Sequence, residues 1–118
     1  MDNPMATKSL DFAVRVVKLS QYLGSEKKEF TLSKQLLRSG TAIGALYREA
    51  QQAESKKDFV HKLSIALKEA NESLYWLILL HRTGYLDDTQ FESIQADNQE
   101  LIKLLTSIIK TTKKNLNS

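Results

Sequence analysis

The second of four periodic segments, residues 32–53, most constrains the fold, because its apolar residues keep a helical spacing through two glycines. Leu36 and Ile43 lie seven residues apart, which places their side chains on one face of an α-helix. Gly40 and Gly44 interrupt the segment without shifting that spacing, whereas a loop would shift it. A glycine inside a helix costs about 0.5–1 kcal/mol relative to alanine. We therefore predict one continuous helix in which close packing offsets this cost.

Three further segments show the same periodicity, and breakers between them are few. The chain of 118 residues contains one proline and four glycines and is 42% hydrophobic, which suits a single domain with a real core. We predict an all-α fold, an antiparallel up-down four-helix bundle in one domain over residues 1–118. The predicted helices cover about residues 6–23, 32–53, 56–83 and 88–113.

The predicted helix ends rest on capping residues. The first helix begins either at Pro4, after Asn3, or after Ser9, and Gly24 ends it, which leaves a loop before the second helix. Thr31 is the expected N-cap of the second helix.

The third helix has a start signal and a stop signal of its own. Ser55 and Asp58 resemble a capping box at its start. Gly84 is expected to end it, with an apolar contact from the residues that follow.

Gly40 and Gly44 fall on one flank of the core face of the second helix. A strip without side chains lets another helix backbone come close. We predict a close-packing seam there, serving the bundle or an interface between protomers. The alternative is that the glycines are tolerated on a half-exposed flank.

The third helix is apolar on all sides over the stretch SLYWLILL, residues 73–80. A helix of a monomeric bundle needs only one apolar stripe, so this stretch indicates burial on two sides. We therefore expect an interface with another copy of the chain. Alternatively, the two aromatic residues cap the end of the bundle. The expected interface residues are Gly40, Gly44, Tyr75, Trp76, Ile78 and Leu79.

The sequence offers little material for catalysis or metal binding. There is no cysteine, and the two histidines are not arranged with carboxylates at the spacing of a di-iron bundle. His61 is expected to be solvated and His81 to form a structural hydrogen bond. We expect no enzymatic activity, no metal and no cofactor.

A modest excess of basic residues permits an anionic partner. Seventeen Lys and Arg against fourteen Asp and Glu give a net charge of +3. A basic stripe on the outer face of the second helix, continued beyond its end, is a candidate for nucleic-acid phosphates. A merely solvated charged face has the same pattern. The candidate residues are Lys34, Arg38, Arg48, Lys56 and Lys57.

The chain is expected to be a soluble, cytoplasmic protein without a membrane segment. Its start has an early acid and no apolar core of a signal peptide. Its longest apolar run, Leu74 to Leu80, is far shorter than the roughly 20 residues that span a bilayer.

Two stretches resemble a known family over most of the chain, from about Ser9 to Leu86. They read KQLLRSGTAIGALYREA and SKKDFVHKLSIALKEANESLYWLILLHRTGYL. The resemblance is to the four-helix-bundle proteins encoded by intervening sequences in bacterial 23S rRNA genes, which are similar to the accessory variability proteins of diversity-generating retroelements. The residues that carry it are Gln35, Leu36, Arg38, Ser39, Ile43, Glu49, Ala50, Asp58, Phe59, Lys68, Glu69, Ala70, Glu72, Tyr75, Trp76 and Leu77.

The resemblance implies a protomer that assembles as a homopentameric ring without known enzymatic activity. It also implies, from the retroelement relatives, binding to RNA or DNA and to a reverse transcriptase through a basic outer surface. Ala42 and Leu46 depart from the family pattern Ser-Ile-Gly-Ala-Asn, which removes two polar residues. Any binding role of these positions in relatives is therefore not expected here.

These observations leave two main interpretations. The first is a non-catalytic, self-assembling helical protein that binds nucleic acid or a nucleic-acid enzyme. The second is a protein-interaction scaffold with no nucleic-acid role. A small-molecule pocket in the core or on a ring axis has no support beyond the helix count.

Overall fold

The computed structural model describes residues 3–116 and consists of four α-helices around one core. Each helix packs closely against two neighbours, and between residues 3 and 116 no Cα atoms of α1 and α3, or of α2 and α4, lie within 8 Å of each other. This confirms the prediction of an all-α four-helix fold. The helices are α1 (Pro4–Lys27), α2 (Thr31–Gln51), α3 (Lys56–Arg82) and α4 (Asp88–Leu116).

The start of α1 resolves the choice left open by the sequence. Pro4 is its first residue and Asn3 is its N-cap, with Oδ1 accepting a hydrogen bond from the Ala6 amide at 3.1 Å. The Tyr47 hydroxyl of α2 donates to the same oxygen at 3.0 Å. Ser9 lies inside the helix and is buried.

The end of α1 differs from the prediction, because the helix continues past Gly24 to Lys27. A Cβ at residue 24 would stand 3.1 Å from Cε1 of Phe30, so the glycine makes room for that ring. The helix ends instead where Lys28 adopts a left-handed conformation with φ of 54°.

The start of α2 is capped by Glu29 and not by Thr31, which is already the first helical residue. The Glu29 carboxylate accepts hydrogen bonds from the amides of Thr31, Leu32 and Ser33 at 2.6–3.1 Å. The carboxylate thereby pairs with amides that have no partner within the helix. These hydrogen bonds, at the positive end of the helix dipole, compensate for the burial of an acid that is only 6% exposed.

Both predicted boundaries of α3 are confirmed. The Ser55 hydroxyl accepts from the Asp58 amide at 3.0 Å, and Gly84 has a φ of 87°. After that glycine, Leu86 folds back into the core and is 2% exposed.

The seam predicted at the glycines of α2 lies inside the protomer, against α1. A Cβ at residue 40 would stand 2.8 Å from Cγ2 of Val16, and one at residue 44 would stand 3.3 Å from Oγ of Ser9. Gly40 is buried and Gly44 is half-buried. The expectation that Gly40 faces another protomer is therefore corrected.

The buried face of α3 includes one serine and leaves out two large apolar residues. Phe59 and Leu74 are only half-buried. Ser73 takes a core position because its hydroxyl donates to Ser39 Oγ at 2.8 Å. The buried residues of α3 are Val60, Leu63, Ala66, Ala70, Ser73, Leu77 and Leu80.

Candidate interaction surfaces

The outer face of α2 carries three of the predicted nucleic-acid residues, but one of them is already paired. Arg38 forms ion pairs with Glu69, at 3.2 Å, and with Glu72, both on α3. Lys34 and Arg48 are exposed and belong to no ion pair within residues 3–116. The positive charge available on α2 is therefore concentrated at the two ends of the helix.

The five predicted basic residues do not form one cluster. Lys34 and Arg48 lie roughly 21 Å apart along the helix, at 1.5 Å per residue. Lys56 and Lys57 are exposed at the start of α3, just beyond the Arg48 end of α2. Lys34 thus lies at the opposite end of α2 from Arg48 and from the two lysines that follow the helix.

One of the two carboxylate partners of Arg38, Glu72, also accepts a hydrogen bond from the tryptophan of α3. Trp76 Nε1 donates to Glu72 Oε2 at 3.2 Å, and its ring meets that of Tyr75 edge-on, with centroids 5.1 Å apart. Arg38 and Trp76 therefore share one carboxylate, which fixes the orientation of the indole.

The outer face of α3 presents the residues that the sequence placed at a protomer interface. Tyr75 is 57% exposed, whereas Trp76, Ile78 and Leu79 are half-buried. The aromatic pair does not lie at the end of α3, because at least six residues separate it from the last residue of the helix. The alternative that they cap the bundle end is therefore not favoured.

An exposed apolar row on α1 was not assigned a role from the sequence. Leu10, Val14 and Val17 are 56%, 45% and 38% exposed. Their spacing of four and three residues is a second helical stripe, which was visible in the sequence but could not be separated from the core stripe of the same helix.

A groove of about 230 Å³ runs beside this row, between α1 and α2. Gly44 is the one glycine among its lining residues. Small side chains of both helices, among them Ala13 and Ala45, line it together with Leu10 and Arg48.

The contact between α1 and α4 is polar at its outer edge. Lys8 pairs with Glu100 at 2.6 Å and Arg15 with Asp97 at 2.6 Å. The hydrogen bond and the charge of Glu100 raise the pKa of Lys8 above its ordinary value of 10.5. These pairs direct both α4 carboxylates toward α1.

The histidines take the places expected of them. His61 is exposed on α3. His81 Nε2 lies 2.8 Å from Asp88 Oδ1, and its ring stacks on Phe91 with centroids 4.2 Å apart. His81 therefore ties the end of α3 to the start of α4.

Within residues 3–116, no group of three His, Asp or Glu side chains is placed to hold a metal ion. No helix in this part of the chain combines the length and hydropathy needed to cross a membrane.

The fold and these surfaces define an all-α four-helix bundle with exposed apolar and basic outer faces. The sequence matches the 23S rRNA-intervening sequence protein family over residues 1–107, and the chain belongs to that family. It is also similar to a protein of unknown function from the S23 ribosomal protein family of Bacteroides thetaiotaomicron, with 60% identity and a TM-score of 0.89. That match covers 90% of this chain and 98% of the other. No curated protein matches the sequence.

Proposed function

We propose that this protein is a non-enzymatic scaffold, an antiparallel up-down bundle that assembles with copies of itself into a ring. The antiparallel arrangement is supported by pairs of facing residues. Along α1, Ser9 lies opposite Gly44 and Val16 lies opposite Gly40, so one residue number falls as the other rises. The connections also support an antiparallel arrangement, because they span only three to five residues between helices of 21 to 29 residues.

Self-assembly is supported chiefly by two apolar surfaces on helices that are not neighbours in the bundle. The row Leu10, Val14 and Val17 lies on α1, and the exposed Tyr75 lies on α3. The two helices stand at opposite corners of the bundle. Exposed apolar side chains grouped in this way are typical of protein interfaces.

Surfaces at opposite corners favour a head-to-tail contact, in which the outer face of α3 docks against α1 and the groove of the next copy. Such a contact uses two different patches and closes into a ring when its rotation permits. A ring of five copies is the assembly that the family resemblance implies.

Sedimentation velocity of the full chain tests self-assembly. We expect a species several times the 13.4 kDa protomer, and its dissociation in Leu10→Ser/Val17→Ser and in Tyr75→Ser. Leu116→Ser is the matched control, because it removes another exposed apolar side chain, at the end of α4. A parent protein that sediments as a single chain at high micromolar concentration would overturn the proposal.

A second candidate function is binding of RNA or DNA, or of a reverse transcriptase, through a basic outer face. It is supported by the exposed and unpaired Lys34 and Arg48, although Arg38 has two carboxylate partners. Electrophoretic mobility shifts across a salt series test it, with Lys34→Ala/Arg48→Ala as the variant. Co-purification of a protein partner that resists nuclease and salt would instead favour a scaffold without a nucleic-acid role.

A further inference from the structure

An open recess lies between the last two turns of α1 and the first two turns of α2, and Phe30 is one of its walls. Its volume is about 500 Å³, which is within the range of small-molecule sites. It shares no lining residue with the groove beside Leu10. We call it the Phe30 recess.

The Phe30 ring is held in place but not buried. At 64%, Phe30 is the most exposed large apolar side chain of residues 3–116. It belongs neither to the core nor to the half-buried side chains that pack against the core. One edge of the ring packs on α1, because a Cβ at residue 24 would stand 3.1 Å from Cε1 and 3.6 Å from Cδ1. The ring is therefore fixed against the α1 backbone and offers most of its surface to a ligand.

Three polar side chains of α1 line the recess without a partner in the protein. Within the part of the chain that the structure describes, the side chains of Ser20, Gln21 and Ser25 form no hydrogen bond. Other helical hydroxyls, such as those of Thr41 and Ser64, donate to a carbonyl one turn earlier at 2.7 and 2.8 Å. The hydroxyls of the recess are instead available as donors to a ligand.

The charge of the recess is a single cation. Lys34 lines it, is exposed and belongs to no ion pair within residues 3–116. None of the lining residues is acidic. Glu29, next to Phe30 in the sequence, is buried, and its carboxylate accepts from three amides of α2. The recess therefore favours a ligand with one negative charge.

Phe30 and Lys34 are placed to act on one ligand. They lie four residues apart at the start of α2, a spacing that puts side chains on the same face of a helix. Gln21 and Ser25 have the same spacing on α1, across the recess. An apolar body that packs against the Phe30 ring thus has its charged end beside Lys34 and its polar edge toward α1.

We propose that the Phe30 recess binds an aromatic carboxylate. Phe30 packs against the aromatic ring of the ligand. Lys34 pairs with the carboxylate, and the hydroxyls of Ser20 and Ser25 donate to its oxygens. A phosphate ester fits less well, because it has nearly two charges whereas the recess has one lysine and no arginine.

This inference goes beyond both proposed functions, because it needs neither the ring nor a nucleic acid. Saturation-transfer NMR of the ligand tests it on the full chain, whatever the size of the assembly. The probes are naphthoate and naphthamide, which have the same ring system and differ in charge. We expect naphthoate to bind with a Kd of about 1 mM or lower. Naphthamide should bind about fivefold more weakly, since it lacks the ion pair.

Two substitutions separate the ring contact from the charge contact. Lys34→Gln should weaken naphthoate binding about fivefold and leave naphthamide binding unchanged. Phe30→Ser should weaken the binding of both probes. The matched controls are Lys18→Gln, which removes an exposed cation outside the recess, and Leu116→Ser, which removes an exposed apolar side chain at the end of α4. Each control should leave both affinities unchanged, and circular dichroism verifies that all four variants are folded.

A second pair of probes identifies the source of the carboxylate. N-acetylphenylalanine has the ring and the carboxylate of a phenylalanine at a protein C-terminus, and its amide has the same ring without the charge. Tighter binding of N-acetylphenylalanine than of naphthoate would assign the recess to such a terminus. The reverse order would assign it to a free aromatic acid. Either order supports recognition of an aromatic carboxylate.

Four results would overturn the inference. They are absence of saturation transfer to both naphthyl probes, equal affinity for the two, unchanged naphthoate binding in both recess variants, and an equal loss in Lys18→Gln and Lys34→Gln. None of these results bears on sedimentation of the ring or on mobility shifts with RNA or DNA. Failure of this inference is therefore distinguishable from failure of either proposed function.

Discussion

Gly40 of α2 and Val16 of α1 occupy adjoining space with no room for one additional carbon. A Cβ on residue 40 would stand 2.8, 3.0 and 3.3 Å from the Cγ2, Cγ1 and Cβ atoms of Val16. Rotation about the Val16 side-chain bond exchanges one methyl for the other and cannot relieve the clash. This glycine is therefore required by the separation of α1 and α2.

Gly40→Ala is expected to lower the free energy of unfolding by about 1–3 kcal/mol, the usual cost of overpacking a core. The loss should appear although alanine favours a helix by about 1 kcal/mol. Urea denaturation measures it. Gly44→Ala is the matched control, because its Cβ would meet Ser9 Oγ at 3.3 Å, where a small shift suffices.

A double variant separates steric conflict from other causes. If the clash is with Val16, then Val16→Ala should destabilise the Gly40→Ala protein less than it destabilises the parent. Additive losses would contradict this explanation. Gly44→Leu should also destabilise, since a longer side chain at that seam must push α1 away; a melting temperature equal to that of the parent would refute the seam.

Asn98→Leu is expected to stabilise the protein by about 1 kcal/mol. Asn98 is fully buried, and its Oδ1 is the one buried side-chain polar atom of residues 3–116 without a hydrogen-bond partner. Leucine has a similar shape and removes that acceptor. Thermal and urea denaturation measure the change, and Asn98→Asp, which adds a charge at the same place, is expected to destabilise strongly. A loss of stability in Asn98→Leu would show that the amide contributes more than its single bond to Ala70.

Glu29→Ala is expected to cost about 1–2 kcal/mol, the upper part of the range for helix caps. The substitution leaves the amides of Thr31, Leu32 and Ser33 without their shared acceptor. Glu29→Gln retains an acceptor oxygen and should cost less. Glu26→Ala, at an exposed position on α1, is the control; an equal effect there would rule out the cap as the cause.

The number and approximate extent of the helices could be predicted because their signals are local. Ser55 and Gly84 lie next to the ends that they define, and their roles were confirmed. Gly24 was wrongly assigned as the end of α1, and Glu29 was not recognised as a cap, because their roles depend on where the turn after α1 places Phe30 and the Glu29 carboxylate. Such positions depend on tertiary packing, which a periodic pattern does not contain.

The candidate surfaces were predictable only within single helices. The apolar stretch of residues 73–80 was enough to predict that some of its side chains, such as that of Tyr75, lie outside the core. The pairing of Arg38 with Glu69 depends on the register between two helices. A helical wheel of α2 alone therefore overstated the charge available at Arg38.

The pairing of Arg38 with Glu72 should contribute little stability and should respond to salt. Arg38 is 52% exposed and Glu72 36% exposed, and exposed pairs are worth about 0.2–1 kcal/mol. A double-mutant cycle with Arg38→Met and Glu72→Gln measures the coupling, which should shrink in 1 M salt, where the Debye length is about 3 Å. Because Glu72→Gln keeps an acceptor for Trp76 whereas Glu72→Ala does not, only the alanine variant should shift the tryptophan emission. A coupling that persists in high salt would mean that the contact is held by packing rather than by charge.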